Sequence, residues 1–200
     1  MKHFSRVASG VAILALTGAC AIAPTLEERE QAYLALSDQH FEDAVGIIDD
    51  SLNPSIQIDT ERGHRDYIFS WGLKNDQFFR ANIIRDSGTV LIQGYVLVET
   101  TGDFLRGTSV SFAHSIDRRD VDRIGFDVSC NASVCVHRED VVFELTREEL
   151  QTAVTEAERL GERTLVFRIQ GQSGQDRDGR FHVGEVKALL TAVAANSLQK

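Results

Sequence analysis

What this 200-residue chain lacks narrows it first. There is no G-x-S-x-G nucleophile turn, and Gly171-Gln172-Ser173-Gly174 has the wrong spacing for one. There is no glycine loop of the phosphate- or dinucleotide-binding kind, no H-E-x-x-H helix and no paired C-x-x-C. These gaps remove the catalytic patterns that a linear sequence can announce, and no cofactor is implied. Positive charge is also scarce, at 21 basic against 30 acidic residues, a formal charge of −9. Setting aside Lys2 and Arg6, the part from Cys20 onward carries 30 acids against 19 bases, or −11. Such a surface repels nucleic-acid phosphates and anionic headgroups, so nucleic acid is excluded as a partner. Lysine is rarer still: only Lys2, Lys74, Lys187 and Lys200. A GC-rich genome gives the same arginine bias, so no function is read from it. The apolar fraction of 42% is enough for a core, and nothing in the composition is fibrous or disordered.

The N-terminus carries the most specific signal. Lys2 and Arg6 form a short positive start, followed by the small, apolar stretch Val7 to Leu16. That is the length of a signal-peptide core and too short to span a bilayer as a helix. Leu16-Thr17-Gly18-Ala19-Cys20 comes next and resembles the lipobox of bacterial lipoproteins, with Gly18 and Ala19 in the favoured small positions. Thr17 departs from it, standing where that motif usually has leucine. The resemblance covers about the first twenty residues. It implies cleavage before Cys20, a signal peptide over residues 1–19 and a lipid on the Cys20 thiol that tethers the chain to a membrane. An ordinary signal peptidase cutting nearby, to release a soluble periplasmic or secreted protein, is the alternative. In Gram-negative sorting an aspartate after the lipidated cysteine retains a lipoprotein at the inner membrane. Ala21 stands there instead, which implies the periplasmic face of the outer membrane.

Cysteine arithmetic is consistent with that address. Three cysteines leave an odd thiol in an exported chain, and lipidation of Cys20 would consume it. Cys130 and Cys135 then flank a four-residue loop between two short apolar runs. Across a hairpin those positions approach closely enough for a disulfide, which an oxidising compartment permits.

Residues 20–200 read as a single periplasmic α+β domain. Residues 26–38 pattern as a helix, opened by Glu27, Glu28 and Glu30, with Tyr33, Leu34 and Leu36 as its apolar stripe. Period-two runs follow at Val45–Ile48, Ile56–Ile58, Tyr67–Leu73, Phe78–Arg85, Val90–Thr100, Ser109–Ile116, around the cysteines and at Val141–Leu145. Val90–Val98 is nearly continuous in apolar residues and is expected to be a central strand covered on both faces. Thr146-Arg147-Glu148-Glu149 fits a capping box, and a helical stripe continues to Gly161. Leu165–Gln170 is a strand, Gln172–Arg180 a polar loop, and Val186, Leu189, Leu190 and Val193 mark a closing helix. Adjacent strands joined by short turns imply one antiparallel sheet of about seven or eight strands, packed with an N-terminal helix and two helices in the C-terminal half.

The candidate chemistry is thin. His114 shares an apolar face with Val110, Phe112 and Ile116, where a packed histidine with one hydrogen bond is commoner than a general base. His137 and Glu139 share the face of Cys135, Val141 and Phe143, and a metal site there needs a third ligand such as His114 or His182. Asp176-Arg177-Asp178-Gly179 resembles the middle of a calcium loop, but Arg177 and Arg180 intrude and a hairpin turn is the better reading. No catalytic or metal-ligating residue is therefore assigned. The expected role is a non-catalytic envelope lipoprotein, held to the membrane by its lipid and binding an envelope protein. A ligand carrier or sensor, and a periplasmic hydrolase using His114 or His137, are the alternatives.

Overall fold

The computed structural model describes residues 25–61, 66–67, 74–113, 116–131, 133–172 and 174–197. The expected signal peptide, Cys20, His114 and all but the start of the expected Tyr67–Leu73 strand lie outside the described residues.

The N-terminal helical pattern resolves into two helices, α1 (Leu26–Leu34) and α2 (Asp38–Ala44). The expected single helix over 26–38 breaks because Ser37 caps a new start, its Oγ accepting from the His40 N–H. Thr25 and Glu28 close a capping box on α1. The strands follow as β1 (Gly46–Ile48), β2 (Ser55–Asp59), β3 (Asp66–Tyr67), β4 (Lys74–Ile84), β5 (Val90–Thr101), β6 (Gly107–Phe112), β7 (Arg119–Asp120), β8 (Asp122–Cys130) and β9 (Cys135–Leu145). Then come α3 (Arg147–Leu160), β10 (Thr164–Gly171), β11 (Arg177–His182) and α4 (Val183–Ser197). The α3 capping box forms at Thr146 and Glu149, and Gly161 ends the helix in the left-handed conformation, at φ 74°.

The class is α+β and every strand pairing is antiparallel, but the strands form two sheets rather than one. The larger runs in the order β1-β2-β4-β5-β9-β8, with β3 pairing against the start of β4. The smaller runs β11-β10-β6-β7. β6 leaves its sequence neighbour β5 to pair with β10, which lies more than fifty residues on. The stretch Gln172–Arg180, expected as a loop, supplies most of β11 instead. Its Asp178 faces Arg168 across the β10–β11 hairpin in a two-pronged ion pair (2.5 and 2.9 Å), a contact that removes it from any calcium loop.

The core lies between one face of the larger sheet, the smaller sheet and the helices. Phe79, Phe143, Phe167 and Phe181 pack there fully buried, with ring centroids 4.0 Å apart for Phe79–Phe181 and 4.9 Å for Phe167–Phe181. Two glycines make room for these rings. A side chain on Gly94 would begin 2.4 Å from the Phe143 ring, and one on Gly179 would begin 2.3 Å from Phe167. Along β5 the burial alternates strictly, so it is not covered on both faces as its apolar run led us to expect. Its second face carries Gln93 and Tyr95, only partly buried, with Phe78 stacked on Tyr95 at 5.0 Å and the Arg80 guanidinium 4.9 Å above that ring.

Candidate functional site

Two places in the molecule carry unusual chemistry: a closed polar cluster under α4, and the open β8–β9 hairpin.

In the closed cluster Glu185, 1% exposed, points from the first turn of α4 toward the end of β2. Thr60 Oγ donates to its Oε1 at 2.6 Å and accepts the Phe79 N–H at 2.8 Å, while Glu185 Oε2 is buried without a partner among the described residues. Burial pushes the Glu185 carboxyl up to about 8, helped by the negative charges of Glu61 and Asp76 and opposed by the Thr60 hydroxyl. It is a neutral acid at pH 7. His182, just before α4, is fully buried, stacked on Phe41 at 4.5 Å and edge-on to Tyr33 at 5.4 Å. Its Nδ1 accepts the Gly184 N–H at 3.0 Å, and Tyr33 Oη accepts the His182 N–H at 3.0 Å. Burial, then the Arg163 guanidinium, brings its pKa down to about 4, so the ring is neutral. His182 is therefore part of the packing between α1, α2 and α4, with Tyr33 and Phe41 around its ring, while His137 has Phe104 beside it. The third-ligand role raised for it is not realised. Among the described residues, no group of three or more His, Cys, Asp or Glu is placed to hold a metal ion.

The hairpin is built differently. Cys130 and Cys135 are joined in a disulfide where β8 turns into β9, with their Cα atoms 4.0 Å apart. The strand register puts Cys135, His137, Glu139, Val141 and Phe143 on one face of β9, as the alternation implied. That face is dry at Val141 and Phe143. Toward the turn it opens. Glu139 is still buried, its Oε1 accepting the N–H of Arg106 at 2.8 Å; Arg106 has a left-handed φ of 52° that turns this amide inward. Glu139 thus pins the β5–β6 loop. His137 is only half-buried, with the Phe104 ring edge-on at 4.6 Å, and no carboxylate bonds to it among the described residues. His137 Nδ1 and Glu139 Oε2 are both buried without a hydrogen-bond partner among the described residues.

What the hairpin does display is apolar surface. Ile124, Phe126 and Val128 on β8 are 56%, 66% and 43% exposed. Phe126 lies against Phe104 (5.9 Å), with the Arg123 guanidinium 5.0 Å above its ring. Beyond β8 no further strand follows among the described residues, so its outer backbone edge is open. The period-two apolar pattern of β8 was visible in the sequence. That it stays largely exposed was not, because alternation identifies faces and not their neighbours. An open groove of about 720 Å³ also runs by the start of α3, between Val90, Leu91, Arg119, Arg147 and Glu148, with an Arg119–Glu149 ion pair at its wall.

No described helix is long and apolar enough to cross a membrane. Comparison with known protein-family models, with curated proteins and with solved structures finds no match to this chain.

Proposed function

We propose that this chain is an exported lipoprotein, cut before Cys20 and tethered by lipid at the periplasmic face of the outer membrane. Its body is a non-catalytic module that binds protein through the β8–β9 hairpin. The observation that carries the binding role is the exposed apolar surface of an edge strand: Phe126, two-thirds exposed, shares one face with Val128, and Ile124 is exposed at the bulge beside them. Leaving that surface to water is unfavourable by roughly 25 cal/mol per Å² of apolar area, which a partner recovers. The Cys130–Cys135 bridge supports the address, because such bonds persist in oxidising compartments.

The address is tested by palmitate labelling of the wild type and by membrane fractionation of Cys20→Ser. Labelling and loss of the variant from membranes are expected; an unlabelled wild type refutes the anchor. The binding role is tested with a photocrosslinking side chain at Phe126 in cells, and another at Gln151 on the exposed face of α3 as control. A discrete adduct from position 126 alone is expected, and none from 126 overturns the reading. A carrier role is the second reading, favoured by the groove beside α3. Thermal stabilisation by an envelope lipid or small metabolite, abolished by Arg147→Ala, would favour it over protein binding.

A further inference from the structure

The backbone of the hairpin says which atoms β8 offers at its free edge. In an antiparallel pair, residues alternate between those that exchange hydrogen bonds and those that do not, and the latter bring their Cα atoms closer, about 4.5 Å against about 5.5 Å. The Cys130–Cys135 pair has Cα atoms 4.0 Å apart, and the next pair toward the turn is bonded, Asn131 N–H donating to Val134 O at 3.0 Å. Cys130 is thus a non-bonded position toward β9. By alternation so are Val128, opposite His137, and Phe126, opposite Glu139. The N–H and C=O groups of Phe126, Val128 and Cys130 therefore point outward, to the open side. The Val128 N–H confirms the direction, since it donates to the exposed carboxylate of its neighbour Asp127 at 2.9 Å instead of to a strand.

We propose that the occupant of this edge is a second copy of the chain, joined by antiparallel β8–β8′ pairing about a two-fold axis at Val128. The proposal rests on the reading of the hairpin as the working surface and names its partner. Registers centred on any residue from Phe126 to Cys130 bring outward-pointing groups together. Those centred on Ser129 or Cys130 carry Phe126 past the end of the second copy's strand at Cys130 and leave its outward groups unpaired. One centred on Asp127 sets two carboxylates directly opposite each other and is excluded by their repulsion. One centred on Phe126 sets Val128 against Ile124, which lies beyond the register shift between Arg123 and Gly125 where the strand is bent. The register centred on Val128 is free of these faults. Val128 meets its own counterpart, Phe126 meets Cys130 of the second copy, and Asp127 meets the hydroxyl of Ser129, a donor for the carboxylate released from the Val128 N–H. Every outward N–H and C=O from Phe126 to Cys130 finds a partner, and the exposed faces of Phe126 and Val128 join into one apolar row across the axis. Asp127 acts as the guard of the edge: its carboxylate must leave the Val128 N–H for pairing, which keeps the association specific and reversible.

Sedimentation equilibrium of the full chain in mild detergent tests this. A monomer–dimer equilibrium is expected for the wild type, with the dissociation constant raised at least about tenfold in Val128→Lys. The variant's melting curve should stay in place, because the side chain is exposed. On mild oxidation Val128→Cys is expected to link to itself as a dimer while Asp127→Cys is not, since residues diagonal across a pair stand about 7–8 Å apart. A wild type that stays monomeric at every concentration overturns the proposal, as does equal linkage at both positions. If that monomer still gives the Phe126 adduct in cells, and the adduct has the mass of a different protein, only the second-copy assignment falls.

Discussion

The two halves of β9 are governed by different physics. From Val141 to Leu145 its inner face is sealed under Phe112, Phe167 and the helices, and nothing there meets water. From Cys135 to His137 the same strand, in the same register, is only half-buried, with the Phe104 ring against His137, and is held by a covalent bond at the turn. Burial secures the first half and leaves it no surface to offer. The second half keeps its shape with less burial, and the strand paired to it, β8, presents Phe126 and Val128 to a partner.

Substitutions can break that contrast at either end. Phe143→Ala, in the sealed half, is expected to cost about 3–5 kcal/mol in urea unfolding, because the ring is lost and Gly94 opposite cannot fill the space. Removing Cys130 and Cys135 together should cost about 2 kcal/mol, the loop-closure value for so short a ring, read from the same denaturant curves. Phe126→Ser and Val128→Ser should each shift stability by at most about 0.5 kcal/mol, and Val128→Ser should abolish the crosslink from position 126. A loss at Phe126 as large as that at Phe143 would mean the hairpin is covered after all.

The closed cluster sharpens the contrast through pH. Glu185 has a folded pKa of about 8 against an ordinary 4.5, so its contribution is complete below pH 4.5 and is lost as pH rises toward 8. His182, at about 4 against an ordinary 6.5, does the opposite: its contribution is present above pH 6.5 and is lost as pH falls toward 4. Between pH 4.5 and 6.5 the two slopes cancel, and from 6.5 to 8 only the loss from Glu185 remains, about 1.4 kcal/mol per pH unit for one proton. Glu185→Gln is expected to flatten that upper limb in melting curves taken from pH 6 to 8.5, whereas Phe126→Ser leaves it untouched. An unchanged slope in Glu185→Gln would show that the carboxyl is ionised in the fold.

Much of the local structure was legible in the sequence. Thr146 with Glu149 started α3 and Gly161 stopped it, the alternation of Leu165, Phe167 and Ile169 gave a buried strand face, and the spacing of Cys130 and Cys135 gave their bond. What stayed hidden depends on partners distant along the chain. Ser109 to Phe112 reads as a strand in either sheet, and only its pairing with β10 puts it in the second. Arg177 to His182 is polar because Asp178 and Arg168 pair on the outside of a hairpin, so a strand looked like a loop. Glu185 looked like one more solvated acid, since an α4 of ordinary amphipathic pattern gives no sign that its first turn is buried beneath Thr60.

β11 ends at His182 and α4 begins at Val183, with no residue between them. A joint without slack transmits force. α1 grips the strand on one side of it, through the ion pair of Glu30 with Arg180 and the Tyr33 hydroxyl on the His182 amide. Lys187, bonded to Asp38 at 2.5 Å, ties the helix on the other side to α2. The two N-terminal helices are thus fastened to the strand and to the helix of this joint at once.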